Sequence, residues 1–493
     1  MTLVRIDKVG AVGIVKDQKP WELPANAWSD GNNVRMQDNA VKKMTGYQSV
    51  TTPSASPYWI LPLTNAGSPY ILYFSLTSAY VYTGGVSTDI SNGTYGATET
   101  GGWNGGVLNG VAIANNGVDV PQMWVTPPNV ATDLANLSNW PAATTAKVIR
   151  PFKNFLVAMD VTESGTRKQR LVRTSHPAEA GAVPSSWDYT DTTKDARRFE
   201  VSETDGACVD FLPLNSDVGV IYKEDSCWAM SYIGPPLIWR LTHISKTMGI
   251  LNRHCVQEFE GKHFVVSNGD IFVHAGGEPV SVLDGKMRRH VFNDMDATYY
   301  VRAFVVANRA NNEMWFCYPA SGEQWPSKAL VWNWRTGAAG IRDLPDTTLF
   351  AAFGVLGVGS TYAPAAQNVI AGHGGPSLSV FDKTNQDGGA NMTAYVERQG
   401  LSLPDTDTQA VKFVKRIYPR ITGTGTINVY VAGTMNPNET PTYGTPVSFV
   451  LGTDEKVDCR ATGRFINVKF ESTGNQDWQL DGYDLDFEYA GMN

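Results

Sequence analysis

The sequence predicts an all-β chain: a β-propeller of about six to seven blades, an extended N-terminal arm before it, and a C-terminal β-sandwich-like domain after it. Three observations carry that expectation. Of 493 residues only 18% are charged while 11% are aromatic, and Gly reaches 47. Aromatic and β-branched side chains suit a pleated, half-buried surface, and glycine suits the turns between strands. A pattern of short hydrophobic strand, turn, aromatic strand and polar edge recurs roughly every 40–50 residues, the spacing of propeller blades. The chain then closes on two alternating strands, Arg464-Phe-Ile-Asn-Val-Lys-Phe470 and Trp478-Gln-Leu-Asp-Gly-Tyr-Asp-Leu-Asp-Phe-Glu-Tyr489. Such strands read as the completion of a sheet begun earlier.

Residues 1–50 are rich in turn formers and show no core pattern of their own. Extended pieces alternate with turns at Ser29-Asp-Gly-Asn32 and Asp38-Asn39. This segment reads as an arm laid across another surface with Trp21 and Trp28 as anchors, or equally as tryptophans packed on the chain's own β-domain. The propeller is placed at 51–395. Its units include Tyr58-Trp-Ile-Leu-Pro-Leu63 with Tyr70-Ile-Leu-Tyr-Phe74, and Val218-Gly-Val-Ile-Tyr222 with Cys227-Trp-Ala-Met-Ser-Tyr232. A later unit joins Glu313-Met-Trp-Phe-Cys-Tyr318 to Ala329-Leu-Val-Trp-Asn-Trp334. A lone four-stranded sheet cannot bury both faces, whereas a ring of them stacks face to face. The Gly-rich stretch Gln386-Asp-Gly-Gly-Ala-Asn391 reads as a hinge and Leu403-Pro-Asp-Thr-Asp-Thr408 as a linker. The sandwich, an assembly domain, is placed at 396–493 with about five or six strands.

Hydrophobic residues make up 42% of the chain, enough for large cores, and the formal net charge is −8. That balance argues against a generic nucleic-acid binder, which needs a basic field to displace counterions. It does not exclude a wall past which DNA slides. The opening Met1-Thr-Leu-Val-Arg-Ile-Asp7 lacks a signal-peptide pattern, and no segment approaches the ~18 apolar residues of a membrane span. No membrane insertion is expected. Five scattered cysteines, Cys208, Cys227, Cys255, Cys317 and Cys459, read as reduced and buried.

The search for chemistry finds little. His254-Cys255, His263 and His274 fit no common zinc spacing and read as residues on strand faces. His373 lies in a Gly-rich turn, and no Gly-x-Ser-x-Gly elbow or phosphate-cradling glycine motif occurs. Glycoside cleavage needs paired carboxylates; Asp225, Asp270, Glu313 and Asp343 are candidates, but spacing alone cannot bring them together. The sequence therefore predicts no enzyme, no catalytic residue, no metal and no cofactor. Two basic clusters remain. Lys286, Arg288 and Arg289 are candidate contacts for DNA or a partner, or else a solvated blade edge. Lys412, Lys415 and Arg416 alternate with apolar residues, giving a strand with one charged face, and with Arg464 they are candidate assembly contacts.

Several stretches resemble the tail nozzle proteins of short-tailed, podovirus-type bacteriophages, also called tail tubular protein B or packaged-DNA stabilisation proteins. They are Gly219-Val-Ile-Tyr-Lys-Glu-Asp-Ser-Cys-Trp-Ala-Met-Ser-Tyr-Ile-Gly234, Asn312-Glu-Met-Trp-Phe-Cys-Tyr-Pro319, Lys328-Ala-Leu-Val-Trp-Asn-Trp-Arg335 and the closing Trp478-Gln-Leu-Asp-Gly-Tyr-Asp-Leu-Asp486. The opening Leu23-Pro-Ala-Asn-Ala-Trp-Ser-Asp-Gly-Asn-Asn-Val-Arg35 is similar to that family's N-terminal segment. The likeness touches nearly the whole chain, through packing and turn signals. It implies a homohexameric tube in the virion tail, assembled in the bacterial cytoplasm below portal and adaptor rings. Its partners would be the adaptor, tail fibres or tailspikes, and double-stranded DNA passing without sequence specificity, retained until ejection. Loops between blades would project into the lumen as a gate. The competing expectation is a propeller that hydrolyses or cleaves polysaccharide, or a carbohydrate-binding tail module.

Overall fold

The computed structural model describes residues 2–65, 67–125, 132–356, 367–403 and 409–491. Seven four-stranded antiparallel sheets follow one another along the chain at 59–89, 104–136, 144–200, 208–245, 256–281, 304–343 and 348–384. The first strand of each packs beside the first strand of the next, and Thr348–Val355 returns to pack on Trp59–Asn65, closing the ring. The sequence estimate of six to seven blades thus resolves to seven.

Because each blade is covered on both faces by its neighbours, alternation disappears from the inner strands. Glu313–Tyr318 is buried at all six positions. Separate apolar cores fill the spaces between blades. Phe74, Trp103 and Trp124 share the core between the first two blades. Between the third and fourth, the Trp239 ring meets Phe152 and Phe155 at 5.6 and 4.9 Å.

The seventh blade is completed from the other end of the chain. Its three strands between 348 and 384 take Gly46–Thr51 as their fourth, with Val380 opposite Gln48. The expected hinge at 386–391 is a small hairpin, Gln386–Asp387 against Ala390–Asn391. Gly388 (φ 56°) and Gly389 (φ 91°) form its tight turn, a geometry that two residues with positive φ supply.

The sandwich is also built from both chain ends. One sheet runs Val34–Gln37, Ala40–Lys43, Asp477–Gly491, Val411–Thr424, Val457–Gly463, with Thr2–Asp7 paired to the 477–491 strand as well. The facing sheet runs Asp30–Asn32, Ala394–Leu401, Phe465–Ser472, Thr426–Thr434, Val447–Val450. Val414, Ile417, Val429, Val468, Phe470, Leu485 and Phe487 fill the space between them. The alternation expected of 465–470 is present: Ile466, Val468 and Phe470 are wholly buried.

The arm expected over 1–50 is therefore corrected: the segment supplies four strands to the sandwich and one to the propeller. Its strands are only three to six residues long, and apart from the hairpin of Val34–Gln37 with Ala40–Lys43 their partners lie more than 300 positions away, so the core faces do not show locally. Of the expected linker, residues 404–408 lie outside the described residues.

The same N-terminal strands fasten sandwich to propeller. Asn33 donates to Asp343 in the sixth blade at 2.9 Å and to Thr393 C=O at 2.8 Å. Beside it, Arg35 joins Glu313 at 3.1 Å and Asp382 at 2.8 Å, and Arg342 reaches Asp382 at 3.4 Å. Burial raises the Glu313 carboxyl above its ordinary value despite the nearby Arg35 charge. Burial pushes Asp382 the same way, yet Arg35 and Arg342 together hold it below its ordinary value.

Candidate functional site

The first strands of the seven blades converge around the ring axis. Here two cavities lie along that axis. The first, about 440 Å³, is bounded by residues from around the ring, from Tyr58 ahead of the first blade to Phe350 in the seventh. The second, about 330 Å³, is lined by the inner strands, including Leu61, Arg150, Asp210, Val256 and Phe353. Both share His254 and Phe350, which form the partition.

That partition is held from several directions. The His254 ring packs edge-on against Phe350 at 5.0 Å, and Phe350 meets Phe304 at 5.1 Å. His254 Nε2 donates to Trp103 C=O at 2.9 Å. Burial, reinforced by the Arg150 charge, pulls its imidazole down to about 3, so it sits neutral. Beneath it Arg150 clasps Asp210 through two hydrogen bonds of 2.8 and 2.9 Å and donates to Gly105 C=O. Burial alone would raise the Asp210 carboxyl; Arg150 outweighs it and holds it below the ordinary value.

The first cavity has an aromatic and charged mouth. Arg302 lies 3.8 Å from the Trp325 ring centre and bridges to Glu99 at 2.5 Å. Tyr58 packs edge-on against Trp325 at 5.9 Å and donates its hydroxyl to Glu99 at 3.4 Å. Elsewhere in its lining Asp160 is paired to Arg167 at 2.6 Å, and Glu224 accepts the Ala207 N–H at 3.1 Å.

The carboxylates singled out from sequence do not line either axial cavity. Asp225 accepts the Gly206 N–H at 2.9 Å, and Asp270 binds Ser281 and Arg288. Glu313 belongs to the Arg35 cluster, and Asp343 takes hydrogen bonds from Asn32 and Asn33. The structure leaves them apart. Among the described residues no three His, Cys, Asp or Glu side chains are grouped to hold a metal.

His263 and His274, by contrast, do meet. Tyr222 lies between them, its hydroxyl 2.7 Å from His263 Nδ1 and 2.7 Å from His274 Nε2. His263 Nε2 is 3.0 Å from Pro213 C=O, and His274 Nδ1 accepts the Gly276 N–H at 3.1 Å. One assignment satisfies every group: His263 Nε2 donates to the carbonyl, Tyr222 donates to His263, and His274 donates to Tyr222. Both rings are then neutral.

The candidate contact residues separate by burial. Trp28 is corrected: it is 1% exposed, its ring lies against Phe470 and Tyr483, and its Nε1–H is given to Val9 C=O. Lys412 is corrected likewise, being wholly buried with its ammonium donating to Arg464 C=O at 3.1 Å. Neither presents a side chain to another subunit. Trp21 is half-buried under Lys19, and Arg464 is half-buried. Lys415 is paired with Glu488, and Arg416 bonds Asp458 at 2.9 Å. Both line a groove of about 870 Å³ in the sandwich together with Lys456 and Arg460.

The 286–289 cluster holds the chain's own N-terminal segment. Lys286 donates to Gly337 C=O at 2.8 Å while its own carbonyl accepts Lys16 and Asp17 N–H groups. Arg288 bridges Asp270 and Asp284 at 3.3 Å each. Asp17 accepts the Arg289 and His290 N–H groups at 2.8 and 3.0 Å. Sequence reasoning missed Lys147, Glu99, Arg302 and Trp325 of the axial cavity altogether. They sit on separate blades and connections, and no local motif joins them.

No family model and no curated protein matches this chain. Among solved structures, it is similar to virginiamycin B lyase from Staphylococcus aureus at 9% identity and a TM-score of 0.41, covering 68% of this chain and 98% of that one. It is also similar to the extracellular domain of a putative hybrid two-component system from B. thetaiotaomicron, at 9% identity and a TM-score of 0.42. That match covers 84% of this chain and 47% of the other, so the chain spans about half the length of that domain.

Proposed function

We propose that the chain is a structural virion protein, a tail nozzle subunit that forms a hexameric tube below portal and adaptor, retains packaged DNA and lets it pass during ejection. The reading rests first on the sequence resemblance, which touches nearly the whole chain. The structural observation that supports it most is the way the N-terminal segment is built into both lobes: 46–51 into the seventh blade, 2–43 into the sandwich. A tube wall around DNA needs lobes that do not swing against each other, and the buried Arg35–Glu313–Asp382–Arg342 cluster gives that joint directional contacts. In this reading the sandwich edges and the charged groove at Lys415 and Arg416 are the surfaces offered to neighbours. Closed rings need two different patches per subunit.

The enzymatic alternative has less support. Two carboxylates of the axial cavity are engaged, Glu99 by Arg302 and Asp160 by Arg167, and an ion-paired carboxylate is a poor general acid. Particle images of the purified protein, alone and mixed with a portal–adaptor complex, test the proposal. Rings, or a ring added below the adaptor, are expected. Failure to join the complex, together with turnover of any glycan, would overturn it.

A further inference from the structure

One sandwich sheet ends on two open strand edges. Among the described residues Thr2–Asp7 pairs only with Asp477–Gly491, and Val457–Gly463 only with Val411–Thr424. Neither strand has a main-chain hydrogen bond to any further described segment. The backbone group otherwise engaged is Ile6 C=O, which accepts from Arg420 at 3.0 Å. Such edges are normally blunted by proline, by an inward-pointing charge or by a covering element. These two strands contain no proline. Their inward side chains are apolar: Val4 and Ile6 on one, Val457, Cys459 and Ala461 on the other. Asp458, Cys459, Arg460 and Ala461 also line the groove of about 870 Å³, so the space beside that edge is open.

Strand direction allows the two edges to meet. Thr2–Asp7 is antiparallel to Asp477–Gly491, which is antiparallel to Val411–Thr424, which is antiparallel to Val457–Gly463. The first and last therefore run opposite ways. A second copy laid beside the first, its sheet facing the same side, would continue the ladder as an antiparallel pair.

The outward side chains select the register. They are Leu3, Arg5 and Asp7 on one strand, and Asp458 and Arg460 on the other with Lys456 just ahead of it. Leu3 is 55% exposed and the side chains of Arg5 and Asp458 are 68% and 64% exposed, so all three are free to meet a neighbour. Registers that keep apolar residues on the core side differ by steps of two. With Arg5 opposite Asp458, Asp7 falls opposite Lys456 and Leu3 lies under the Arg460 stem, so both charged pairs are complementary. Slipping by two one way sets Arg5 against Arg460 and Asp7 against Asp458. Slipping the other way sets Arg5 against Lys456 and Asp7 against Asp454. Each slip opposes like charges twice, which destabilises a cross-strand pair.

We propose that copies of this chain join head to tail by this edge pairing, Thr2–Asp7 of one against Val457–Gly463 of the next, with Arg5 opposite Asp458. Val4 then meets Cys459 and Ile6 meets Val457, continuing the apolar layer from one sandwich into its neighbour. The two edges are different patches, as a heterologous contact requires. The inference deepens the reading of the chain as a self-assembling subunit and rests on it.

Sedimentation of the full chain, alone and with a portal–adaptor complex, tests the contact. Arg5→Glu and Asp458→Lys are each expected to weaken assembly at least about tenfold, and the two together to restore it to within about threefold. A cysteine pair reads the register, in a Cys459→Ser chain. Leu3→Cys with Arg460→Cys is expected to form a disulfide between copies under mild oxidation. Leu3→Cys with Asp458→Cys, about 7–8 Å apart in the same register, is not. Assembly that ignores both charge reversals, or equal cross-linking of the two cysteine pairs, overturns the proposal, as does a chain that stays monomeric in both settings. Should the charge variants fail to fold, the cysteine pairs decide. Rings that form on the adaptor but ignore the charge reversals sink this contact and leave the nozzle reading standing. Assembly that follows the charge swap yet never joins the adaptor keeps the contact and counts against the nozzle reading.

Discussion

Trp28 and Trp21 stand seven positions apart and look alike in the sequence, yet they sit in different places. Trp28 is enclosed between the sandwich sheets, whereas Trp21 stays half-buried beneath Lys19. Removing an enclosed aromatic leaves a cavity that the fold cannot fully collapse, so Trp28→Ala should cost about 3–5 kcal/mol and Trp21→Ala far less. Denaturant unfolding of both variants checks this; equal losses would contradict it. The buried histidines set a pH dependence. Burial holds His263, His274 and His373 down to about 4 and His254 to about 3. The unfolded chain takes up protons near the ordinary value of about 6.5 while the folded one does not. Stability is then complete above that pH and is lost as pH falls from about 6.5 toward 4, by about 1.4 kcal/mol per pH unit for each histidine. Urea midpoints measured from pH 7 to 5 should fall steadily, and a flat profile would refute the neutral chain through Tyr222. Sequence gave the reading that these histidines are not zinc ligands. Their meeting is local, since His263 and His274 stand opposite each other across one hairpin; what the sequence does not show is Tyr222, brought to them from blade four.

Among the elements, legibility follows the distance between partners. Blades paired by short hairpins announced themselves, since Glu313–Tyr318 and Lys328–Asn333 are adjacent in chain and in sheet. Asp30–Asn32 pairs with Ala394–Leu401, and three residues show no period to read. The closing strands were legible as a pair of alternating runs, but they belong to opposite sheets of the sandwich. Those sheets approach closely at Gly433 and Gly463. A Cβ on Gly433 would stand 2.2 Å from Thr462 O, and one on Gly463 would stand 2.5 Å from Thr434 N. Both obstacles are backbone, so neither can swing aside. Gly433→Ala should therefore destabilise by about 1–3 kcal/mol or more, whereas Gly444→Ala, with open space around it, should be near neutral. Thermal melts of the two variants make the comparison.

At the scale of the molecule, one N-terminal segment supplies strands to both propeller and sandwich. The composition and repeat spacing were enough to read a propeller, and the absence of recognisable local motifs left its axis blank. Because Gly46–Thr51 completes the last blade and residues 2–43 complete both sandwich sheets, deleting residues 1–51 removes strands from both lobes at once. We expect the truncated chain to be insoluble, and the full chain to melt in one calorimetric transition instead of two. A soluble truncated propeller with a sharp melt would show that the ring does not need its borrowed strand.

The borrowed strand also has a history in time. Gly46–Thr51 leaves the ribosome early, but its partner Ser377–Thr384 is about 330 residues behind it, a wait of roughly 15–65 s at about 5–20 residues per second. Until then the nascent chain carries an uncommitted strand edge, a hazard for pairing with other chains. The wait of Gly46–Thr51 ends when Ser377–Thr384 emerges, whereas Thr2–Asp7 and Ala40–Lys43 wait for Asp477–Gly491, which takes its place beside them and Val411–Thr424. The last of the described strands fixes the first.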